Sequence, residues 1–496
     1  MGVTSRNLFV LVAIVVLAAT AASSGSASAR HASNAVRTYS THGTAPLRTS
    51  LDDPFTFTGA QRAAGFLKAA SAGASYVRMI VPWNLIAPSS LSSDFDAADP
   101  ASKDYSWGWM DSTVDAAEKA GLTPILDIAR APDWALAKKH GKRINTPKIS
   151  SLGQFAKAVA LHYDGKHDAP AVHVFQVWNE PNLSQDLSPV NAATYRSMVN
   201  AVATSVHGVS RSNLVVAGGL DPFGHKGKTW NSVSPLAYMR SLLCVSMGNP
   251  KAKSARLRKP HATCKARAQF DVWSHHPYTF DGPFGHARRK DDVSLGDLPE
   301  MRSVLRTALK LHRISSRHGV QFWVTEFSWD TKPPRRHAAP VSLASRWTAE
   351  ALYQMWRSGV SLVTWFGLED KGGKSPYQSG LYFHAKSLEN ARAKPVRTAF
   401  RFPFVAYLGH GKITVWGRNA TSNKQIVTIQ RRLGTHGHWR SVARIRSNAA
   451  GIFQAKLKVS ATGKDWLRAR AAGSGNSLAF SLTRPSPKLR YGPWGN

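Results

Sequence analysis

Between residues 45 and 396, short runs rich in β-branched and aromatic residues alternate with longer segments whose apolar positions recur every three to four residues. The short runs are Ser75–Val81, Thr123–Ile128, Val172–Trp178, Asn213–Ala217, Phe270–Ser274, Gln321–Thr325 and Ser361–Phe366, with an eighth expected near Leu47–Ser50. The amphipathic segments include Gly59–Ala72, Met110–Ala120, Leu152–His162, Ala192–Val206, Met301–Arg317 and Ser342–Arg357. Strands separated by helices must pair in parallel, and eight such units predict an α/β fold, a (β/α)8 TIM barrel. A doubly wound open sheet is the competing arrangement, but no G-x-G-x-x-G or G-x-x-x-x-G-K-[ST] loop follows any of these strands.

After Lys394 the pattern changes. Residues 403–484 carry alternating runs at Lys412–Trp416, Gln425–Gln430, Ser441–Arg446, Phe453–Val459, Trp466–Arg470 and Leu478–Leu482, divided by Gly, Asn and Ser. They predict a small antiparallel β-sandwich of immunoglobulin or fibronectin type, followed by an untethered tail over 485–496. At the other end, Arg6, the apolar run Leu8–Ala22 and Ala27-Ser28-Ala29 form the three parts of a signal peptide over residues 1–29, leaving 30–44 as a linker. The apolar run falls short of the roughly 20 residues a membrane span needs. The protein is therefore expected to be secreted, without a transmembrane segment after cleavage, and to act as a monomer.

Composition adds a charge problem. Against 29 Asp and Glu stand 65 Lys and Arg, a net +36, which calls for anionic company. Export takes most of the weight from nucleic acid, and no specific nucleic-acid partner is expected. From Arg397 onward, 18 basic residues face the single acid Asp465, an excess of +17. The sandwich is thus expected to hold an anionic cell-wall polymer by salt-sensitive attraction, with an ordinary solvated basic surface as the competing reading. The two cysteines, Cys244 and Cys264, invite one disulfide in an exported chain; two buried thiols are the alternative.

In a (β/α)8 barrel the chemistry sits where strands end. Those ends hold Arg78, Asn179-Glu180, His275-His276-Pro277-Tyr278, Glu326 and Trp365. Two glutamates at strand ends are what glycosidic cleavage requires: one protonates the leaving oxygen while the other meets the anomeric carbon. Asp127 either lines the pocket or bonds a neighbouring loop, and Trp83, Trp134 and Trp329 either stack on sugars or fill the core. Glu369 and Asp370 read as a solvated loop. No H-E-x-x-H or EF-hand loop occurs, and no metal or cofactor is expected.

Val177-Trp178-Asn179-Glu180-Pro181-Asn182 and Trp323-Val324-Thr325-Glu326-Phe327 resemble the acid/base and nucleophile motifs of the clan A retaining glycoside hydrolases, particularly families 5 and 39. The resemblance spans about residues 45 to 400. It implies hydrolysis of β-linked poly- or oligosaccharides by double displacement, with Glu180 as acid/base and Glu326 as nucleophile. Asn179 would hold the sugar 2-hydroxyl, and Arg78 and Tyr278 would orient Glu326. His276 would stand near the acid/base, the doubled histidine leaving its register with His275 ambiguous, and Trp365 would lie under the reacting sugar. A catalytically silent carbohydrate- or wall-binding protein on the same barrel is the alternative.

Overall fold

Eight parallel strands close on themselves in chain order: β1 Arg48–Asp52, β2 Tyr76–Pro82, β3 Thr123–Ala129, β4 Val174–Val177, β5 Leu214–Leu220, β6 Val272–His275, β7 Gln321–Val324 and β8 Leu362–Phe366. The last strand pairs with the first, Leu362 opposite Arg48 through Phe366 opposite Asp52. This computed structural model describes residues 36–166, 169–372, 375–483 and 490–494, so the segment read as a signal peptide lies outside the described residues. One principal helix follows each strand: α1 Arg62–Ser71, α2 Gly108–Lys119, α3 Ile149–His162, α4 Ala192–Val209, α5 Pro235–Leu242, α6 Leu298–Lys310, α7 Val341–Arg357 and α8 Pro395–Arg401. The closed ring rules out the open sheet.

One helix is shorter than its periodicity predicts. His312 takes φ +53°, which ends α6. Ile314–Ser315 then pairs with Ala268–Gln269 as a short parallel strand instead of extending the helix to Arg317.

Because side chains alternate along a strand, the barrel interior fills in layers. Ile125, Val174, Val216, Val272, Trp323 and Leu362 form an apolar layer of their own, with Tyr76 and Leu214 against it. Two residues further along the same strands the interior positions become polar at Arg78, Asp127, Gln176, Ser274, Thr325 and Thr364, and Asp52 of β1 joins them, all buried. An apolar floor thus supports a polar layer just beneath the mouth.

The sandwich consists of β9 Phe404–Gly409, β10 Lys412–Arg418, β11 Ile426–Leu433, β12 Arg440–Arg446, β13 Ile452–Leu457 and β14 Asp465–Ala471. One sheet runs β9-β10-β13, and the other runs β12-β11-β14 with short strands at its edges. One of those is Thr38–Ser40, which pairs in parallel with Arg444–Arg446 of β12. Part of the expected linker is therefore a sandwich strand. Cys244 and Cys264 form a disulfide with Cα atoms 5.1 Å apart.

Arg418, buried at the end of β10, ties the sandwich to the barrel. It donates to Thr49 Oγ1 at 3.0 Å and to the carbonyls of Leu47, Phe400 and Arg401. Burial, with Arg401 nearby, lowers its pKa to about 10, so it is charged at neutral pH. Removing it strands several buried acceptors, each costly to leave unpaired. Arg418→Ala is expected to lower unfolding stability by about 3 kcal/mol. An unchanged urea midpoint would refute this role.

Candidate active site

Strand β4 ends in a turn that ordinary residues rarely adopt: Trp178 has φ +66° and Glu180 φ +36°. Backbone and side-chain bonds hold it there. Trp178 N donates to Ile128 O, Trp178 Nε1 to Asp186 O and Glu180 N to Gly219 O. On the neighbouring strand, Gly218 of β5 has φ +101°, and a Cβ there would collide with Ser274 O. Only glycine permits that approach of β5 to β6.

Glu180, His276 and Glu326 converge, one ligand atom from each lying within 4.8 Å of the others. His276 Nδ1 is 2.9 Å from Glu180 Oε1, and its Nε2 is 3.1 Å from Thr325 Oγ1 on the barrel interior. Tyr278 donates from its hydroxyl to Glu326 Oε2 at 3.1 Å. Arg78, 1% exposed, spends its whole guanidinium on this layer. Nη1 donates to Glu326 Oε1 (2.8 Å) and Asp52 Oδ2 (2.6 Å), Nη2 to Asp127 Oδ2 (2.7 Å) and Asn179 Oδ1 (2.8 Å), and Nε to Gln176 Oε1 (3.0 Å).

These contacts drive the two glutamates apart in acidity. Burial raises Glu180 well above the usual carboxylate range, and the charges of Glu326 and Asp186 add to it. Burial also pushes Glu326 up, but His276, Arg78 and the hydrogen bonds from Tyr278 and Arg78 outweigh it and hold the carboxyl below its ordinary value. His276 itself falls to about 4, chiefly by burial, and is a neutral imidazole at neutral pH. One guanidinium cannot satisfy three carboxylates. Burial lifts Asp52 to about 7 and Asp127 to about 6 against its pull. The result is one glutamate biased toward its protonated form beside one biased toward its ionised form, the division of labour that acid-assisted displacement needs.

Asn179 is held between the Arg78 guanidinium and Asp186, whose carboxyl accepts from the Asn179 side chain. The doubled histidine resolves by register. His276 continues the interior phase of Val272 and Ser274, while buried His275 turns away to Val293 O at 3.0 Å.

Trp365 is not brought to this group. It is 1% exposed, its indole N–H donates to Ser379 O, and its ring lies against Phe327 and Phe400 of α8. The interior phase of β8 runs through Leu362, Thr364 and Phe366, so Trp365 faces the helices. The aromatic at the mouth is Phe366, which with Phe55, Tyr377 and Trp109 lines a cavity of about 470 Å³ beside Asp52 and Arg78. Trp83 and Trp329 are core: Trp83 stacks on Phe155, and Trp329 donates to Thr279 O. Trp134 donates to Pro88 O. Asp370 is no solvated loop residue, being buried 2.6 Å from Lys394 Nζ. Asp127 bonds Arg78.

The sequence does not single out Asp52, Gln176, Thr325 or Phe366, although Gln176, Thr325 and Phe366 share the period-2 phase of the apolar floor residues Val174, Trp323 and Leu362 on their strands. The C-terminal segment expected to be an untethered tail is held to the barrel over 490–494: Pro493 O accepts from Asp330 N, Tyr491 O accepts from Asp281 N, and the Trp494 ring lies 5.4 Å from that of Tyr278. Among the described residues, Glu180, His276 and Glu326 are the one group of three able to converge on a cation. Glu326 there is already bonded to the Arg78 guanidinium.

The chain matches the family described as Cellulase (glycosyl hydrolase family 5) over residues 31–365. No curated protein sequence matches it. Among solved structures it is similar to a family 39 glycoside hydrolase from the gut symbiont Bacteroides cellulosilyticus WH2, at 15% identity and TM-score 0.49, covering 83% of this chain and 79% of that one. It is also similar to a monomeric beta-xylosidase from Caulobacter crescentus CB15, at 14% identity and TM-score 0.48, covering 87% of this chain and 98% of that one. A broad-specificity endoglucanase from Clostridium acetobutylicum matches at 12% identity and TM-score 0.44, covering 71% and 96%. The family match extends from the start of the barrel to β8 and so includes both glutamate motifs. The chain belongs to the cellulase family, glycosyl hydrolase family 5, and is a glycoside hydrolase.

Proposed function

We propose that the protein is a secreted retaining glycosidase acting on a β-linked poly- or oligosaccharide. Glu180 serves as general acid and then base, and Glu326 as the nucleophile. The observation that carries this is the spacing of the two carboxyls, with one oxygen of each inside a 4.8 Å cluster. A retaining pair stands about 5 to 5.5 Å apart, whereas an inverting pair leaves about 6.5 to 9.5 Å for a water. The opposite acidity shifts of the pair agree with the roles.

In the first step Glu326 attacks the anomeric carbon as the bond to the leaving oxygen breaks and Glu180 gives that oxygen its proton. The glycosyl ester on Glu326 is then opened by water. Glu180 takes one proton of that water, and the Glu326 carboxylate is released. Arg78 and Tyr278 stabilise the carboxylate before attack and after release. His276 hydrogen-bonds Glu180 and fixes its direction. Aryl β-glycosides and soluble β-glucan, xylan and mannan are the test. Release of reducing sugar or phenol from at least one is expected, and inertness toward all of them overturns the reading.

The basic sandwich supports a second element, retention on an anionic wall polymer. Cross-strand partners place Arg444, Arg468, Arg470 and Trp466 on the face of β11 that carries Thr428, Gln430 and Arg432. Arg432 lies over Trp439 and Trp466, and Arg468 over Trp439 at 4.3 Å. Arg432→Ala with Arg468→Ala is expected to release the protein from isolated cell walls at a lower salt concentration than wild type. Identical release profiles would remove this element.

A further inference from the structure

The segment Arg490–Trp494 packs on the loops that follow β6 and β7, where Asp281 N donates to Tyr491 O and Asp330 N to Pro493 O. Pro493 and Gly492 are buried there, and Tyr491 packs on Trp347 of α7. Its Trp494 ring touches two residues that follow β6, Tyr278 at 5.4 Å and Phe280 at 6.2 Å. Tyr278 is the residue whose hydroxyl bonds Glu326. Trp494 therefore stands one ring away from the nucleophile and keeps part of its surface open.

On the other side of the same segment is a cavity of about 560 Å³. Arg490, Tyr491 and Gly492 form one of its walls, and the loops after β5 and β6 form the rest. His225, stacked on Trp230 with ring centres 3.9 Å apart, faces it together with His286, Arg288 and Arg289. Its two carboxylates are already engaged. Asp292 accepts from Gly224 N at 2.7 Å, and Asp281 lies 3.9 Å from Arg288.

We propose that residues 490–494 complete the substrate cleft: Trp494 is a stacking wall beside the glutamate pair, and the Arg490-lined cavity takes an acidic sugar unit. The inference rests on the glycosidase reading and adds the substrate class, a β-linked oligosaccharide carrying carboxylates. An indole face suits the C–H face of a pyranose, as it does other apolar faces. Arginine pairs with a carboxylate through two parallel N–H bonds.

The probes are oligomannuronate and oligoglucuronate, each beside its carboxyl-reduced form, titrated calorimetrically into the Glu180→Gln protein. At least one acidic form is expected to bind roughly tenfold more tightly than its reduced counterpart, and Arg490→Ala to erase that preference. Trp494→Ala is expected to weaken binding of both forms roughly tenfold at an unchanged melting midpoint, with Trp494→Phe recovering most of it. Equal affinity for acidic and reduced forms, no binding of either, or tighter binding after Trp494→Ala would each overturn the proposal. If the wild-type protein still hydrolyses β-glycosides, that failure falls on the cleft alone and leaves the glutamate roles standing.

Discussion

Replacing Glu326 by alanine is expected to lower kcat/KM by on the order of 10⁴-fold or more, because it removes the group proposed to form the covalent intermediate. Glu326 is the carboxylate that both Arg78 and Tyr278 hold in its ionised form. Asp52 and Asp127 are the nearest other acids on Arg78, but they are buried in the polar layer below the mouth and are raised to about 7 and 6. Glu180→Gln should behave differently. It removes a proton donor, so activity should fall steeply for substrates with a poor leaving group and much less for a dinitrophenyl glycoside, which leaves without protonation. Equal losses on both substrates would contradict the acid role of Glu180. Activity in Glu326→Ala within about tenfold of wild type would remove Glu326 from the chemistry.

The second large effect is at Arg78. Methionine there preserves much of the side chain's bulk but leaves Asp52, Asp127 and Glu326 without their shared cation. Unfolding stability is expected to fall by about 3 kcal/mol, as when one partner of a buried ion pair is deleted. The pH profile gives the sharper readout. As the proposed nucleophile Glu326 must be ionised, and its pKa lies below the ordinary carboxyl value partly because of Arg78. Without that cation its pKa rises, so the acid limb of the kcat/KM profile moves to higher pH. The alkaline limb is expected to follow Glu180, which as the proposed acid must be protonated and is raised first by burial and then by the charge of Glu326. An acid limb unmoved in Arg78→Met would show that the guanidinium does not set the ionisation of the nucleophile.

The fold was largely legible because a parallel barrel writes itself into the chain as alternation. Every barrel strand lies at or within a few residues of its apolar run, and strand ends then point to Glu180, His276, Tyr278 and Glu326, whereas Arg78, expected at a strand end, is the third residue of β2 and reaches the site from inside the barrel. The failures have specific causes. Trp365 was placed under the sugar by resemblance, against the period-2 phase that sends it outward and Phe366 inward. The same phase would have separated His276 from His275. Gln176 carries that phase as well, but an isolated polar residue in an apolar run does not announce an arginine partner from another strand, and Asp52 follows the mostly polar run Arg48-Thr49-Ser50-Leu51, where no apolar phase marks the interior. Thr38–Ser40 and Trp494 were beyond reach for a different reason. A three-residue edge strand and a five-residue segment have no periodicity, and their partners on β12 and after β6 lie far away in sequence. Long-range contacts of this kind are fixed by the assembled tertiary structure and leave no local pattern.

The central claim is that Glu326 attacks the sugar directly while Glu180 supplies the proton, giving two displacements and no net change at the anomeric carbon. Proton NMR of the product in the first minutes of hydrolysis of an aryl β-glycoside, before mutarotation, tests it most directly. The account predicts the β-anomer appearing first, with the α-anomer growing in only as the solution equilibrates. An initial product that is the α-anomer would mean a single displacement by water and would contradict the roles assigned to both glutamates.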